Sequence, residues 1–202
     1  MRLGQNFLDN RKKSLKELHF ITDKTKININ SDRYFTFYHY THENKVKDIM
    51  TKGLWAYREV ACPTPPEELK GCYLVEGFVE PLPSWLTTSV YFNDLGIELT
   101  NEHIGNILLE VSVPVSQFNI YIADYSHILD CKTIEKSKGP GIGFGYDCSN
   151  GRECTQAYVN SYLNINEYVN QHHAPLVQVV RQGSGLIIPS KFIKTSTIQP
   201  RK

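Results

Sequence analysis

Tyr38-His39-Tyr40-Thr41-His42-Glu43-Asn44-Lys45-Val46-Lys47-Asp48-Ile49-Met50-Thr51-Lys52-Gly53-Leu54-Trp55 is the stretch from which the fold is read. The run leading into it, Tyr34-Phe35-Thr36-Phe37-Tyr38-His39-Tyr40, is β-branched or aromatic almost throughout and predicts a strand. Thr41 or His42 can cap a short helix, and Glu43 falls in its first turn, where a carboxylate suits the helix dipole. Val46, Ile49 and Met50 recur at helical spacing and give that helix one apolar face. Gly53 ends it. The strand thus carries His39 to a sharp strand-to-helix junction, where main chain and imidazole can both face a ligand. A histidine simply satisfied in the core accounts for these residues equally well.

Downstream, residues 56–84 hold Pro63, Pro65, Pro66, Pro81 and Pro83 and read as a long loop. A helical turn is expected at Pro66-Glu67-Glu68-Leu69. The apolar content of the loop (Tyr73, Leu74, Val75, Phe78, Leu82) predicts that it is ordered. Residues 85–93 read as a strand, Ile107–Pro114 as a buried strand, and Gln117–Ala123 as another. Lys138-Gly139-Pro140-Gly141-Ile142-Gly143-Phe144-Gly145 is a loop that lacks the Gly-Lys-Ser/Thr of a P-loop and fits no dinucleotide fingerprint. Glu153–Asn170 predicts a helix with Tyr158, Tyr162, Leu163 and Tyr168 along one side. Val177–Arg181 and Gly185–Ile188 predict a final hairpin across Gln-Gly-Ser-Gly. Upstream, residues 1–33 form an N-terminal extension. Leu3, Phe7, Leu8, Leu15, Leu18 and Phe20 suggest an amphipathic helix packed on a single domain spanning 34–202.

The 202 residues suit one domain with a sizeable core. A net charge of +1 gives no electrostatic case for nucleic acid or an anionic membrane. Twelve tyrosines are many, and tyrosines suit binding clefts because they offer a flat face and a polar tip. Five cysteines (Cys62, Cys72, Cys131, Cys148, Cys154) are odd in number and lack Cys-x-x-Cys spacing. That argues against a zinc site and rules out a complete disulfide framework within one chain. They read as mostly reduced thiols in a cytoplasmic setting. For work outside the cell, Cys62–Cys72 and Cys148–Cys154 would each close a short loop. No signal peptide and no run of apolar residues long enough to span a bilayer is present.

The unit "Tyr-His-Tyr-Thr, short helix, Gly-Leu" resembles the first strand and helix of ADP-ribosyltransferases of the His-Tyr-Glu class. These include the poly-ADP-ribose polymerases, RNA 2′-phosphotransferases, HYD1-type toxins and DarT-type DNA-modifying toxins. Trp85-Leu86-Thr87-Thr88-Ser89-Val90-Tyr91-Phe92-Asn93-Asp94 resembles the second, tyrosine-bearing motif of that class. His39-Tyr40-Thr41-His42-Glu43-Asn44 is close to the His-x-Thr-His-x-Asn of the DarT type. Thr87-Thr88-Ser89 nearly matches the Ser-Thr-Ser of arginine-specific relatives, but their first-strand arginine and Glu-x-Glu are missing.

The resemblance implies an α+β fold: an ADP-ribosyltransferase-like split mixed β-sheet core with flanking short helices. It implies NAD as substrate, and a mono-ADP-ribosyltransferase that modifies a macromolecule, protein or nucleic acid. A bacterial toxin or phage–host conflict enzyme fits, cytoplasmic or delivered into a target cell, with an immunity or antitoxin protein as partner. By position, His39 would fix a ribose hydroxyl, Tyr40 and Thr41 would contact the cofactor through the junction, and Tyr91 would stack on nicotinamide. The catalytic acid should lie near Leu176–Val180, where the chain offers Gln178 and no carboxylate. Glu153 is the first candidate, Gln178 the second, with Asp124, Asp130 and Asp147 as further acids. Two alternatives stay open: a degenerate binding module that keeps the fold, and an RNA 2′-phosphotransferase-like enzyme. The latter lacks its phosphate-gripping arginines near His39.

Overall fold

Glycine decides the geometry at the C-terminal end of the first unit. Strand β1 (Tyr34–Thr41) runs into helix α1 (Glu43–Lys52) as expected. His42 takes the N-cap position with extended backbone, but its side chain makes no capping bond. At the other end Gly53 sits at φ +87° and returns its N–H to the carbonyl of Ile49. A Cβ there would come within 2.3 Å of the Ile188 carbonyl oxygen. The helix buries no residue completely; Val46 and Ile49 are half-buried and Met50 is exposed. It is therefore held by its ends and by Ile49 against the core rather than by a deep apolar stripe.

The computed structural model describes residues 27, 29–30, 33–60, 62, 64–83, 85, 104–128 and 152–196. After α1 come β2 (Leu54–Ala56), β3 (Arg58–Glu59), a 3₁₀ turn at Glu67–Leu69 and β4 (Cys72–Phe78). Then follow β5 (Ile107–Pro114), β6 (Asn119–Asp124), helix α2 (Arg152–Asn160), β7 (Leu163–Asn164), β8 (Pro175–Gln182), β9 (Gly185–Ile188) and β10 (Ile193–Thr195). The larger sheet runs β10-β5-β1-β4-β8-β6-β7, with β3 also on β4, and β2 pairs with β9 in a separate ribbon. The chain is α+β. Every pairing among the described strands is antiparallel, where a mixed sheet was expected.

Four expectations are corrected. Residues 56–84 are not one long loop, because Cys72–Phe78 forms a central strand between β1 and β8. Its run Cys-Tyr-Leu-Val-Glu-Gly-Phe is a good strand former whose flanking prolines mask it. Helix α2 stops at Asn160, ten residues before the expected end, and Leu163–Asn164 turns into a strand beside Tyr121 and Ile122. The Gln-Gly-Ser-Gly turn is present, but β9 does not pair back on β8, whose two edges are taken by β4 and β6. Cys154 is disulfide-bonded rather than reduced, whereas Cys62 and Cys72 are free thiols and do not pair with each other. The other partner of Cys154 lies outside the described residues.

The larger sheet carries a core on each face. One holds Phe35, Phe37, Leu109, Val111, Val177 and Val179 under the β2–β9 ribbon, which adds Leu54, Ala56, Ile187 and Ile188. Phe37 lies flat over Gly77, where any Cβ would come within 2.4 Å of its ring. The other face is aromatic and places Tyr40, Phe78, Trp85 and Leu176 against Tyr158 and Val159 of α2. Each large side chain buried in this way contributes about 1.5–3 kcal/mol. Most of the extension, residues 1–26, lies outside the described residues; Ile29 bridges to Phe35. Among the described residues no helix is long and apolar enough to cross a membrane.

Candidate functional site

Strand β4 shares one edge between two partners. β1 meets it at the single pair Tyr38↔Phe78, and β3 meets it at Arg58↔Leu74 and Glu59↔Tyr73. By contrast β1 and β5 stay in register over eight pairs. Between the two partners, Val75–Gly77 meet no described strand on that edge, and the His39 imidazole closes the seam. Its Nδ1 lies 2.8 Å from the Glu76 carbonyl oxygen. A carbonyl only accepts, so Nδ1–H donates and the neutral ring keeps Nε2 as its acceptor. Burial lowers the His39 pKa below 6.5, against the opposing pull of the Glu76 hydrogen bond. Near neutral pH the ring is thus an uncharged donor–acceptor.

The neighbouring site candidates are placed as follows. Tyr40 is buried; its hydroxyl donates to the Pro81 carbonyl at 2.6 Å and its ring meets Phe78 edge-on. Thr41 is buried at the end of the strand, and the two residues lie opposite Leu108 and Ile107 of β5. Tyr91, Asp130 and Asp147 lie outside the described residues, as does the glycine-rich run 138–145. Glu153 is exposed in the first turn of α2. It lies five residues from the buried Tyr158, which turns it roughly 140° away around the helix. Asp124 is buried and accepts from the N–H groups of Ser126, His173 and Ala174. Those bonds make it a clasp between β6 and the segment entering β8.

A second polar group, of which the sequence reading singled out only Gln178 as a site candidate, lies on the aromatic face. Glu76 and Gln178 are cross-strand partners, and Tyr121 stands opposite Gln178 on the far side. Gln178 is fully buried. Its Nε2 donates to the Tyr158 hydroxyl at 2.7 Å and reaches Glu76 Oε1 at 3.5 Å. Arg58 Nη1 lies 3.2 Å from Glu76 Oε2. The Arg58 side chain is 75% exposed and that of Glu76 33%, so the pair sits at the mouth of the cluster. Burial, with the Glu76 charge adding to it, raises the pKa of both Tyr158 and Tyr162, which therefore stay neutral. Strand alternation sends Glu76 and Tyr40 to this face and His39 to the Phe37 face. The imidazole and the carboxylate thus share only the main chain of Glu76.

One signal in the sequence could have found this cluster. Glu76 is the single charge inside an apolar run of strand formers, where an acid needs a reason to be present. Arg58, Tyr158 and Tyr162 carry no comparable local mark, since only the fold brings them to Glu76. Among the described residues no three His, Cys, Asp or Glu side chains converge as a metal-binding set. No family model, no curated protein and no solved structure matches this chain.

Proposed function

We propose that this chain is an NAD-dependent mono-ADP-ribosyltransferase that modifies a macromolecule, protein or nucleic acid. The observation that carries the reading is the seam: a strand-to-helix junction presents a neutral histidine where the sheet parts between β1 and β3. A neutral imidazole whose Nδ1–H is committed to a carbonyl offers Nε2 to a ribose hydroxyl. The reaction breaks the bond between nicotinamide and C1′, with its electron pair leaving on nicotinamide, and forms a bond from C1′ to the acceptor. The transition state is oxocarbenium-like, so a ribose held still and a nearby carboxylate are the main requirements. His39, Tyr40, Thr41 and Tyr91 take the NAD-binding roles, and Glu153 is the acid under test. Gln178 on β8, an amide where the reading calls for a carboxylate, favours a second reading: a binding module without turnover.

The test titrates NAD into the purified protein and follows nicotinamide release, with His39→Ala and Glu153→Ala alongside. We expect release by the wild type and a loss of roughly 10²-fold or more in His39→Ala. Retained release in Glu153→Ala removes that residue as the acid. NAD binding without release favours the binding module, and absence of NAD binding overturns both readings.

A further inference from the structure

The aromatic face holds a buried acceptor with no donor. Gln178 is fully buried, and its Nε2 is turned toward two acceptors, Tyr158 Oη and the Glu76 carboxylate. Flipping the amide would set its oxygen 3.5 Å from a carboxylate that only accepts, which favours the orientation with Nε2 toward Glu76, although the Tyr158 hydroxyl could serve either orientation. Oε1 is left without a hydrogen-bond partner. Buried polar atoms in folded proteins are nearly always satisfied, so an orphan acceptor beside a half-buried carboxylate calls for a donor from outside. The surroundings say what kind of donor. Two acceptor groups face the cluster, and the Tyr158 and Tyr162 rings pack edge to face at 5.5 Å beside it. Aromatic faces beside a carboxylate favour a cation. One cation already stands at the mouth: the guanidinium of Arg58, exposed and bound to Glu76 by one Nη only.

We propose that Glu76, Gln178, Tyr158 and Tyr162 form a binding site for a guanidinium group supplied from outside, for which Arg58 is the resident stand-in. The incoming group displaces Arg58, places paired N–H donors on the Glu76 carboxylate and delivers a further N–H to Gln178 Oε1. Arginine-type cations suit this better than ammonium because the planar fork meets a carboxylate in two places and lies flat against a ring. The site opens on the opposite face of the sheet from the His39 imidazole, so its occupancy does not require NAD turnover.

The test is an NMR titration of the full chain with methylguanidinium, read at the Gln178 side-chain amide, with propylammonium as the point-charge control. Arg58→Ala should bind methylguanidinium about threefold to tenfold more tightly than wild type, because the competitor is gone. Glu76→Gln should bind roughly tenfold or more weakly. Propylammonium should bind less well than methylguanidinium to every form. Equal affinity in wild type and Arg58→Ala overturns the proposal, as does undiminished binding to Glu76→Gln. If Glu76→Gln does not fold, the Arg58→Ala comparison decides alone, since that side chain is mostly solvent-exposed. An adenine dinucleotide that shifts the His39 ring while leaving the Gln178 amide unmoved would separate the two sites.

Discussion

His39 links stability to pH. Its folded pKa lies below 6.5, so the unfolded chain takes up the proton first as the solution is acidified. The stability its neutral form contributes is complete above pH 6.5 and is lost as pH falls toward the folded value. Each unit of depression corresponds to about 1.4 kcal/mol. Urea unfolding compared at about pH 7.5 and about pH 5 should show a larger drop for wild type than for His39→Gln. Gly53 gives a second residue-scale prediction. With φ at +87° and Ile188 in the way, Gly53→Ala should lower stability by roughly 2 kcal/mol or more, seen as a drop in Tm. Both residues were legible in the sequence, because a strand former followed by a glycine-terminated helix is a local pattern. What His39 touches was not legible, because its partner is a main-chain carbonyl on a strand 37 residues away.

Elements read well where their composition was uniform and badly where a proline or a tyrosine run misled. β5 was expected at Ile107–Pro114 and is found there, since an unbroken apolar run has one natural reading. β4 was hidden among prolines that lie outside it. Tyr158, Tyr162, Leu163 and Tyr168 have helical spacing, yet Tyr158 lies in α2, Leu163 in β7 and the other two in connecting segments, because Ser161 leaves the helix to donate to the Tyr158 carbonyl and to accept from the Asp124 N–H. Asp124 supports the prediction at this scale. Burial alone would raise its pKa, but the hydrogen bonds it accepts from Ser126, His173 and Ala174 outweigh burial and hold it below 3.8. Its stabilising effect is therefore full above pH 3.8 and lost as pH falls through the folded value. Asp124→Ala should cost about 1–3 kcal/mol at neutral pH, because the two main-chain donors entering β8 lose their acceptor. Denaturant unfolding checks this.

At the scale of the whole molecule, the α+β class was the expectation carried by the resemblance and agrees with the strands and helices read from periodicity, whereas strand order was not legible. β4 owes its central place to β1 and β8, which come from distant parts of the chain. The polar cluster at Glu76 inherits that difficulty, since it is assembled from β3, β4, β8 and α2. Helix α2 is also tied covalently through Cys154. Alkylation of denatured, unreduced protein should therefore label fewer than all five cysteines, and prior reduction should raise the count to five and lower the Tm. The narrow junction between β1 and β4 has a mechanical meaning as well. The sheet pairs as two plates, β10-β5-β1 and β4-β8-β6-β7, joined by one strand residue pair together with the His39–Glu76 and Tyr40–Pro81 hydrogen bonds. Such a join bends more readily than either plate. Amide exchange at Tyr38 and Phe78 should accordingly outpace exchange within β5 and β8, the outcome expected if the molecule flexes through the angle between the plates.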